Sequence, residues 1–459
     1  MYQIDFKQPI HVHFIGIGGI SMSGLAEILL KEGFTVSGSD RSETELTAHL
    51  KTKGAVISYP QSEANITDGI DLIVYTAAVK RDNPELLEAV SRGIPTLTRA
   101  ELLGQLMTNY EMPIAVSGTH GKTTTTSMLS MILTEADFDP TVSVGGILKE
   151  IGGNIRIGES GYFITEACEY TNSFLSFFPK VGVILNIEAD HLDFFKDLND
   201  IYDSFHKFAE LLGEDGVLVI NGDIPNMEKI VSGLKCKVIT FGKDAENVDF
   251  RAGNVQFDSM GFATFTTVYD GSEETFRLQI PGRHNVMNAL AAIAVAGIVG
   301  IDAEHIRAGL LAYGGTDRRF QLKGKLGGIT IVDDYAHHPT EIKATLDTAR
   351  LYPCDRVVCV FQPHTYTRTK ALFHQFTDAL SNADVVILAD IYAAREKDTL
   401  GISSKDLIGE IEEKGTECHY FSSFDEIENY LLENSIHGDL LITMGAGDIV
   451  KVGEHLLGQ

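Results

Sequence analysis

Residues 112–133 have the sequence MPIAVSGTHGKTTTTSMLSMIL, and this stretch decides the fold class of the chain. An apolar run, a turn with two glycines and a longer segment follow one another, which predicts strand, loop and helix. The pattern GxxGKT at 118–123 places Lys122 and Thr123 at the start of the helix. In such a loop the backbone amides and the lysine cradle nucleotide phosphates, and the threonine hydroxyl reaches Mg²⁺. Val116 stands where a complete P-loop has glycine, and a Ser/Thr-rich helix cap without a ligand is the alternative.

Strand and helix alternate on both sides of this stretch. Short apolar runs such as HVHFI, VGVILNI, RVVCVF and DVVILA come back at the spacing of strand–helix units. This alternation is typical of parallel sheets covered by helices on both faces. Three such series predict an α/β protein, with boundaries near residue 108 and in the glycine-rich segment 314–320. Residues 248–280 alternate instead around glycine turns, which predicts a small antiparallel appendage, and residues 289–301 predict a buried helix.

The composition excludes several classes of protein. Lys plus Arg total 37 and Asp plus Glu total 64, so the formal charge is −27. We therefore expect no nucleic-acid surface and no anionic membrane surface, whereas a local basic pocket for a phosphorylated small molecule remains compatible with this charge. The five cysteines have no CxxC spacing and suit a reducing cytoplasm better than a disulfide framework. Neither a signal peptide nor a membrane-inserted segment is expected.

A second glycine-rich turn, GIGGIS at 16–21, follows the first predicted strand. Its glycines allow a pyrophosphate to approach the backbone, and the helix that follows offers amide donors. Ser21 stands where the dinucleotide-binding pattern GxGxxG has its last glycine. Asp40 ends the next predicted strand, where an acid can hold a ribose hydroxyl. A tight turn without a ligand is the alternative.

Carboxylates and a histidine follow two predicted strands of the second unit. Glu166 lies at a strand end with Glu169 just beyond it, and the segment NIEADHLD at 186–193 contains His191. Groups of this kind at strand ends can complete one or two Mg²⁺ sites. Solvated loop charges are an equally good interpretation.

Basic residues gather near the second boundary. Arg283, His284 and Asn288 lie at a predicted helix start, and Arg318 and Arg319 are adjacent in GGTDRRF. In so acidic a chain the adjacent arginines are candidates for a phosphate clamp, with a solvated pair as the alternative.

The segments DDYAHHP at 333–339 and QPHTYTRTK at 362–370 both follow predicted strands. They should therefore lie at the sheet edge where α/β proteins bind ligands, with Arg368 in a loop. His337 and His338 have no third ligand nearby in the sequence, so we favour polar contacts at a helix entry over a metal site.

These motifs together resemble the Mur ligase family. The ordered set covers residues 13–450 and consists of IGIGGISMSGLAEILL, DNPE, RAELL, GTHGKTTT, EACEY, NIEADH, PGRHNVMNALAA, DRRF, DDYAHHPTEI, FQPHTYTR and GAGDI. The resemblance is strongest to members that join L-alanine to UDP-N-acetylmuramate. It implies a Rossmann-like UDP-sugar domain at 1–108, a central P-loop ATPase-type domain at 109–316 and a Rossmann-like amino-acid domain at 317–459.

The resemblance also implies the chemistry and the residues. ATP would convert the lactyl carboxylate of UDP-N-acetylmuramate into an acyl phosphate, and the amine of L-alanine would then displace the phosphate. The implied catalytic residues are Lys122, His191, His337 and Arg368. The implied ATP contacts are Gly118, Thr119, His120, Gly121, Lys122, Thr123, Thr124, His284, Asn288, Arg319 and Asp334. The implied Mg²⁺ ligands are Thr123, Glu166 and His191. The implied substrate contacts are Gly16, Gly18, Gly19, Ser21, Asp40 and, for alanine, Arg368.

Three positions depart from the family pattern. Thr365 replaces a basic residue found in several relatives, so the alanine carboxylate should depend more on Arg368. Cys168 replaces the aspartate of the usual EADES segment. His206 falls where sister ligases carry a carbamylated lysine, so we expect no carbamate here.

Three alternative functions stay open on the sequence. A recycling ligase would attach a preformed tripeptide to the same nucleotide sugar. An NAD-dependent oxidoreductase would use the turn at 16–21 but would leave GTHGKT unexplained. A regulator that binds nucleotides without catalysis would release no phosphate.

Overall fold

The computed structural model of the chain describes residues 2–76, 78–192, 194–394 and 396–459. Asp193, the last residue of the acidic segment predicted at 186–193, lies outside them. The described residues form three mainly parallel sheets and one three-stranded antiparallel sheet, so the α/β prediction is confirmed. Among the helices formed by these residues, none has the length and apolar character needed to cross a membrane.

The N-terminal sheet has the strand order β3-β2-β1-β4-β5, and its paired strands are parallel. After β3 the chain crosses to the other side of β1, and the position between β1 and β4 is the switch point where α/β sheets bind ligands. The strands are β1 (His11–Ile15), β2 (Thr35–Ser39), β3 (Val56–Ser58), β4 (Leu72–Tyr75) and β5 (Thr96–Thr98). The helices are α1 (Ile20–Lys31), α2 (Glu45–Thr52), α3 (Pro84–Ser91) and α4 (Arg99–Met107).

The central sheet has the order β13-β12-β11-β10-β6-β9-β7-β8. Only β8 pairs antiparallel within the described part of this sheet, and β6 lies between β10 and β9. Its strands are β6 (Met112–Ser117), β7 (Thr141–Leu148), β8 (Gly153–Arg156), β9 (Tyr162–Ala167), β10 (Val181–Ile184), β11 (Val217–Asn221), β12 (Lys237–Gly242) and β13 (Phe250–Arg251). The helices are α5 (Lys122–Glu135), α6 (Leu198–Glu210), α7 (Glu228–Val231), α8 (His284–Val299) and α9 (Ala303–Ala312).

The predicted antiparallel appendage is present as β14 (Gly253–Phe257), β15 (Phe262–Tyr269) and β16 (Ser272–Pro281). It begins slightly later than predicted, because β13 at 250–251 pairs parallel with β12. The predicted buried helix is α8, whose alanine-rich middle is fully covered because small side chains let it pack closely against the sheet.

The C-terminal sheet has the order β17-β18-β22-β19-β20-β21, with β17 antiparallel to its neighbour and the other pairs parallel. Its strands are β17 (Gln321–Leu326), β18 (Ile329–Asp334), β19 (Arg356–Phe361), β20 (Val385–Leu388), β21 (Glu417–Tyr420) and β22 (Asp439–Met444). Its helices are α10 (Pro339–Ala349), α11 (Tyr366–Ala371), α12 (Phe373–Leu380), α13 (Ile408–Glu413), α14 (Phe424–Asn434) and α15 (Val450–Leu456).

Clusters of buried apolar side chains connect some neighbouring sheets but not others. One cluster joins the N-terminal sheet to a face of the central one, and it includes Phe14, Leu103, Phe174 and Phe205. The two clusters around the C-terminal sheet contain no described residue before Phe320. The C-terminal unit therefore has a core of its own and meets the central unit through other contacts.

Candidate active site

The loop between β6 and α5 has the shape that the sequence predicts. Gly121 has φ +84° and stands directly before α5, in the left-handed region that favours glycine. A Cβ atom at this position would overlap Oδ1 of Asn288 on α8. The loop thus needs glycine both for its backbone angle and for the close approach of the helix.

The side chain of Asn186 holds this loop in place. Its Oδ1 accepts a hydrogen bond from the backbone N–H of His120 at 2.7 Å, and its Nδ2 donates to the carbonyl of His120 at 3.0 Å. The hydroxyl of Thr119 accepts from the N–H of Glu188 at 3.0 Å. The loop is therefore held by protein contacts from the segment that follows β10.

The side chain of Lys122 lies beside the phosphate loop and is 16% exposed. Its Nζ donates to the carbonyls of Gly118 and Thr119 and lies 3.0 Å from Oε2 of Glu169. Burial alone would lower the pKa of this lysine, but the Glu169 carboxylate, itself almost fully buried, outweighs that effect and raises it. Lys122 is thus a permanent cation beside the phosphate loop, and Glu169 is its ion-pair partner.

The predicted Mg²⁺ ligands Thr123, Glu166 and His191 line one cavity of about 540 Å³. Glu166 accepts a hydrogen bond from the N–H of Gly145 through Oε1, at 2.5 Å, which leaves its other oxygen for a cation. Nε2 of His191 lies 3.9 Å from Glu169. The Thr123 hydroxyl and the Glu166 carboxylate are oxygen ligands of the kind that Mg²⁺ prefers, so these two residues fit the ion, and the role of His191 stays a prediction.

A neighbouring cavity of about 240 Å³ brings the predicted nucleotide contacts together. It is lined by Thr124, His284, Asn288, Arg319 and Asp334, with His120 and Gly121 shared between the two cavities. The oxygens of Asp334 accept from the N–H groups of Phe320 and Ala336, each at 2.8 Å.

The charge of Asp334 depends on its surroundings. Burial raises the pKa of this carboxyl to about 6, although Arg319 opposes the shift. The guanidinium of Arg319 lies over the ring of Tyr335 and 3.9 Å from Glu341, so part of the clamp is already oriented by protein contacts.

Arg368 lies on α11, not in the predicted loop. The segment HTYTRT contains β-branched and aromatic residues, which favour helix only weakly. Because the helix has only six residues, the sequence shows no helical period at this position. Nε and Nη2 of Arg368 both donate to Oδ1 of Asp190, at 3.1 and 3.0 Å. Arg368 and Asp190 are 10% and 9% exposed, and this pair holds the pKa of Asp190 well below its usual range despite burial.

His337 is oriented by its backbone neighbours. Its Nδ1 lies 3.0 Å from the carbonyl of Tyr335 and donates to it, which leaves Nε2 as the proton acceptor. Burial lowers the pKa of His337 to about 4, with Arg368 adding to the shift and Glu341 opposing it. The imidazole is therefore neutral at physiological pH, and it lines the same cavity as Lys122.

The N-terminal glycine turn at 16–21 reaches the cavity of about 540 Å³, because Ile20, next to Ser21, lines it. The N–H groups of Gly16 and Ile17 donate to the carbonyl of Ser39. The N–H of Gly18 donates to Oδ2 of Asp40 at 2.7 Å. One oxygen of Asp40 therefore supports the turn itself, and the contact of this residue and of Gly19 with a UDP-sugar stays a prediction.

Three family models match the chain in order. They are the Mur ligase family catalytic domain at residues 11–111, the Mur ligase middle domain at 116–296 and the Mur ligase glutamate ligase domain at 318–447. The chain belongs to the Mur ligase family. The resemblance inferred from the sequence is confirmed.

Two relatives of this Mur ligase match it over the full length of both chains. It is similar to the UDP-N-acetylmuramate–L-alanine ligases of Agathobacter rectalis, at 61% identity, and Lachnospira eligens, at 59%. Among solved structures, the UDP-N-acetylmuramate–alanine ligase of Thermotoga maritima has a TM-score of 0.81 and 30% identity, covering 98% of each chain. A murein peptide ligase of Psychrobacter arcticus has a TM-score of 0.73 and 26% identity, also covering 98% of each chain.

The structure adds residues to the Mur ligase site that the sequence did not single out. Glu341 on α10 lies 3.1 Å from Nδ1 of His120 and so connects the C-terminal unit to the phosphate loop. The sequence signal for Glu341 is its spacing of three residues after His338, which is the spacing of a helix capping box. Glu188 accepts from the hydroxyl of Thr340 at 2.5 Å across the same boundary.

Arg99, the first residue of α4, is a second addition. Burial lowers the pKa of its guanidinium, with Cys168 and Glu166 opposing the shift, and no ion pair of Arg99 is found among the described residues. A desolvated arginine near a carboxylate such as Glu166 is suited to bind an anionic group of a substrate.

His206 lies apart from these groups. Its Nδ1 is 2.8 Å from the carbonyl of Ile230, and its Nε2 is 3.7 Å from Glu210 on the same helix. The absence of a carbamate at this position stays a prediction.

Proposed function

We propose that this chain is an ATP-dependent ligase that joins L-alanine to the lactyl carboxylate of UDP-N-acetylmuramate with Mg²⁺ as cofactor. The reaction belongs to peptidoglycan precursor synthesis in the cytoplasm and thus to cell wall biogenesis, cell shape and cell division. Two relatives near 60% identity over whole chains carry this activity in their names. The proposal extends to the domain roles at 1–108, 109–316 and 317–459.

The single observation that carries the proposal is the cavity of about 540 Å³. Ile20 from the N-terminal unit, Lys122 and Glu166 from the central unit and His337 from the C-terminal unit all line it. A ligase must bring together a nucleotide phosphate, a carboxylate and an amine. Three units line this cavity, so each of the three groups can be held by a different unit.

The central wall supports activation of the carboxylate. A carboxylate is a poor electrophile until one oxygen becomes part of a phosphate leaving group, and its approach to ATP joins two anions. Lys122 and the amides of the loop would offset this repulsion where charge develops. Thr123, Glu166 and His191 would hold Mg²⁺, which neutralises phosphate charge when bound.

The C-terminal wall supports the attack of the amine. The Nε2 atom of His337 is a neutral acceptor that would take a hydrogen bond from the amine of alanine and orient it. Arg368 would bind the alanine carboxylate, with its Nη1 turned away from Asp190 toward His364. A second cavity of about 240 Å³ beside Arg368 offers space for a small substrate.

Phosphate release from ATP tests the proposal. We expect release with both UDP-N-acetylmuramate and L-alanine and only background release when either is omitted. Replacing alanine by a preformed tripeptide separates this ligase from a recycling ligase, which would release phosphate with the tripeptide and not with alanine. Release that ignores the UDP-sugar would contradict the proposal.

Calorimetric titration tests the N-terminal unit separately. We expect UDP-N-acetylmuramate to bind and NAD not to bind, because Ser21 replaces the last glycine of the dinucleotide pattern. Tight binding of NAD without binding of the UDP-sugar would support an oxidoreductase instead.

A further inference from the structure

Arg368 meets a carboxylate that comes from another unit of the chain. Arg368 lies on α11 of the C-terminal unit, whereas Asp190 lies in the segment between β10 and α6 of the central unit. Nε and Nη2 of Arg368 both donate to Oδ1 of Asp190, and the two side chains are 10% and 9% exposed. Because both partners are withdrawn from water, these two hydrogen bonds fix the direction of the guanidinium.

His364 contacts the other terminal nitrogen of the same guanidinium. Its Nδ1 lies 3.1 Å from Nη1 of Arg368, and its carbonyl oxygen lies 3.4 Å from that atom. Burial lowers the pKa of His364 to about 4, with His337 and Arg368 adding to the shift, so the ring is neutral at physiological pH and Nδ1 can accept a hydrogen bond. The ring of His364 is stacked on that of Tyr392, with the ring centroids 5.7 Å apart. The guanidinium is thus held from two sides.

The guanidinium of Arg368 keeps donors for a second anion. A guanidinium has five N–H groups, and the contacts with Asp190 and His364 use at most four of them. The longest contact, 3.4 Å from Nη1 to the carbonyl of His364, is the weakest and the easiest to exchange. One N–H of Nη2 and, after that exchange, one N–H of Nη1 can therefore donate together to a carboxylate.

The space for such an anion lies beside this pair of residues. Arg368, Asp190 and His191 line the cavity of about 240 Å³ described above, and Asp190 and His191 also line the cavity of about 540 Å³ that contains Lys122. The two cavities therefore adjoin at Asp190. A small substrate held by Arg368 can in this way reach the groups of the larger cavity.

We propose that Asp190 is a positioning residue for the amino-acid substrate, because it holds Nε and Nη2 of Arg368 so that the outer end of the guanidinium receives the carboxylate of L-alanine. This inference rests on the proposed function, in which Arg368 binds that carboxylate. Asp190 acts through Arg368 and does not itself bind the substrate. Since the two residues belong to different units, the subsite for alanine is complete only where the central and C-terminal units are in contact.

Steady-state kinetics of Asp190→Ala and Asp190→Asn test this role in the phosphate-release assay. The first variant removes both acceptor oxygens, whereas the second keeps the size of the side chain and one oxygen that can accept from Arg368. We expect the KM for L-alanine to rise at least about tenfold in Asp190→Ala and less in Asp190→Asn, while the KM values for ATP and the UDP-sugar change less than about threefold. An unchanged KM for L-alanine in a folded variant would overturn the proposal. A lower KM would overturn it too, because Asp190 would then compete with the substrate for Arg368.

A double variant shows whether Asp190 acts through Arg368. Adding Asp190→Ala to Arg368→Lys should raise the KM for L-alanine no further than Arg368→Lys alone, because the group that Asp190 holds is already absent. Two effects that simply multiply would refute the assignment. The Mg²⁺ requirement is a second measurement, since Oδ2 of Asp190 lies 3.7 Å from Nε2 of His191. It should stay unchanged in Asp190→Asn, and a raised requirement with a normal KM for L-alanine would connect Asp190 to His191 instead.

Asp439→Asn is the matched control. Asp439 is buried and also holds an arginine, because it accepts from Nε and Nη2 of Arg356 at 3.0 and 2.8 Å, but neither residue lines the cavities described above. The control should keep the wild-type KM for L-alanine, and an equal rise would mean that the loss of any buried pair has this effect. Circular dichroism shows which variants are folded, and one folded variant of Asp190 is sufficient. Phosphate release by the wild-type protein that ignores L-alanine would contradict the proposed function, so the two failures are distinguishable.

Discussion

Replacing Gly121 by alanine tests whether the backbone of the phosphate loop controls both stability and nucleotide binding. The variant places a Cβ atom on a residue with φ +84° and pushes it into Oδ1 of Asn288. A left-handed backbone costs a non-glycine residue about 1–2 kcal/mol. Asn288 is held by a hydrogen bond from its Nδ2 to Asn285 at 3.0 Å, and displacing it costs about 1 kcal/mol more.

Gly33→Ala is the matched control for that substitution. Gly33 has the same φ of +84°, but a Cβ atom there meets only Cγ of Pro9, at the ordinary contact distance of 3.9 Å. It should lose only the backbone component of about 1–2 kcal/mol. The difference between the two variants therefore isolates the overlap with α8.

Denaturant unfolding and calorimetric titration with ATP measure the two effects. We expect Gly121→Ala to lose about 2–3 kcal/mol in all, summing the backbone and hydrogen-bond costs. We also expect it to bind ATP at least about tenfold more weakly, which corresponds to about 1.4 kcal/mol. Gly33→Ala should bind ATP normally. Equal stability and equal ATP affinity in the two variants would refute the reasoning.

Three further predictions concern the cavity that all three units line and the smaller cavity beside Arg368. Lys122→Ala should lower turnover by about 10²–10³-fold in the phosphate-release assay while circular dichroism stays unchanged, and near-normal turnover would contradict its role. Arg368→Lys should raise the KM for L-alanine more than that for ATP, because lysine lacks the planar guanidinium that holds Asp190 through Nε and Nη2 while Nη1 stays available for the alanine carboxylate. A lower kcat with an unchanged alanine KM would place Arg368 on the phosphate instead. Between pH 6.5 and pH 4, His337 becomes protonated in the unfolded chain but stays neutral in the folded one. Lowering the pH through this range should therefore destabilise the wild-type protein more steeply than His337→Gln, as measured by denaturant unfolding. Equal slopes would contradict the lowered pKa of His337.

The sequence predicted best those parts of the site that are local in the chain. Lys122 and Thr123 follow a strand and a glycine turn within a few residues, so chain geometry alone fixes them at the start of α5. Glu166 was predicted because the ends of parallel strands meet at one edge, and it lines the expected cavity.

Contacts between units could not be predicted in this way. The pair of His120 and Glu341 joins residues 221 positions apart, and the pair of Arg368 and Asp190 joins residues 178 apart. Their meeting depends on how two separately folded sheets pack, which no local pattern records. The helix α11 was missed for the different reason that six residues are too few to show a period.

The two boundaries of the central unit differ in the forces that hold them. The N-terminal boundary is built from buried apolar side chains, whose association is insensitive to dilute salt. The C-terminal boundary is built from hydrogen bonds and ion pairs, among them Thr340 with Glu188 and Arg368 with Asp190. Rising ionic strength weakens such contacts, most of all at the solvent-exposed rim. Salt should therefore loosen the half of the site that carries His337 and Arg368 while the phosphate loop and the N-terminal turn keep their relative positions.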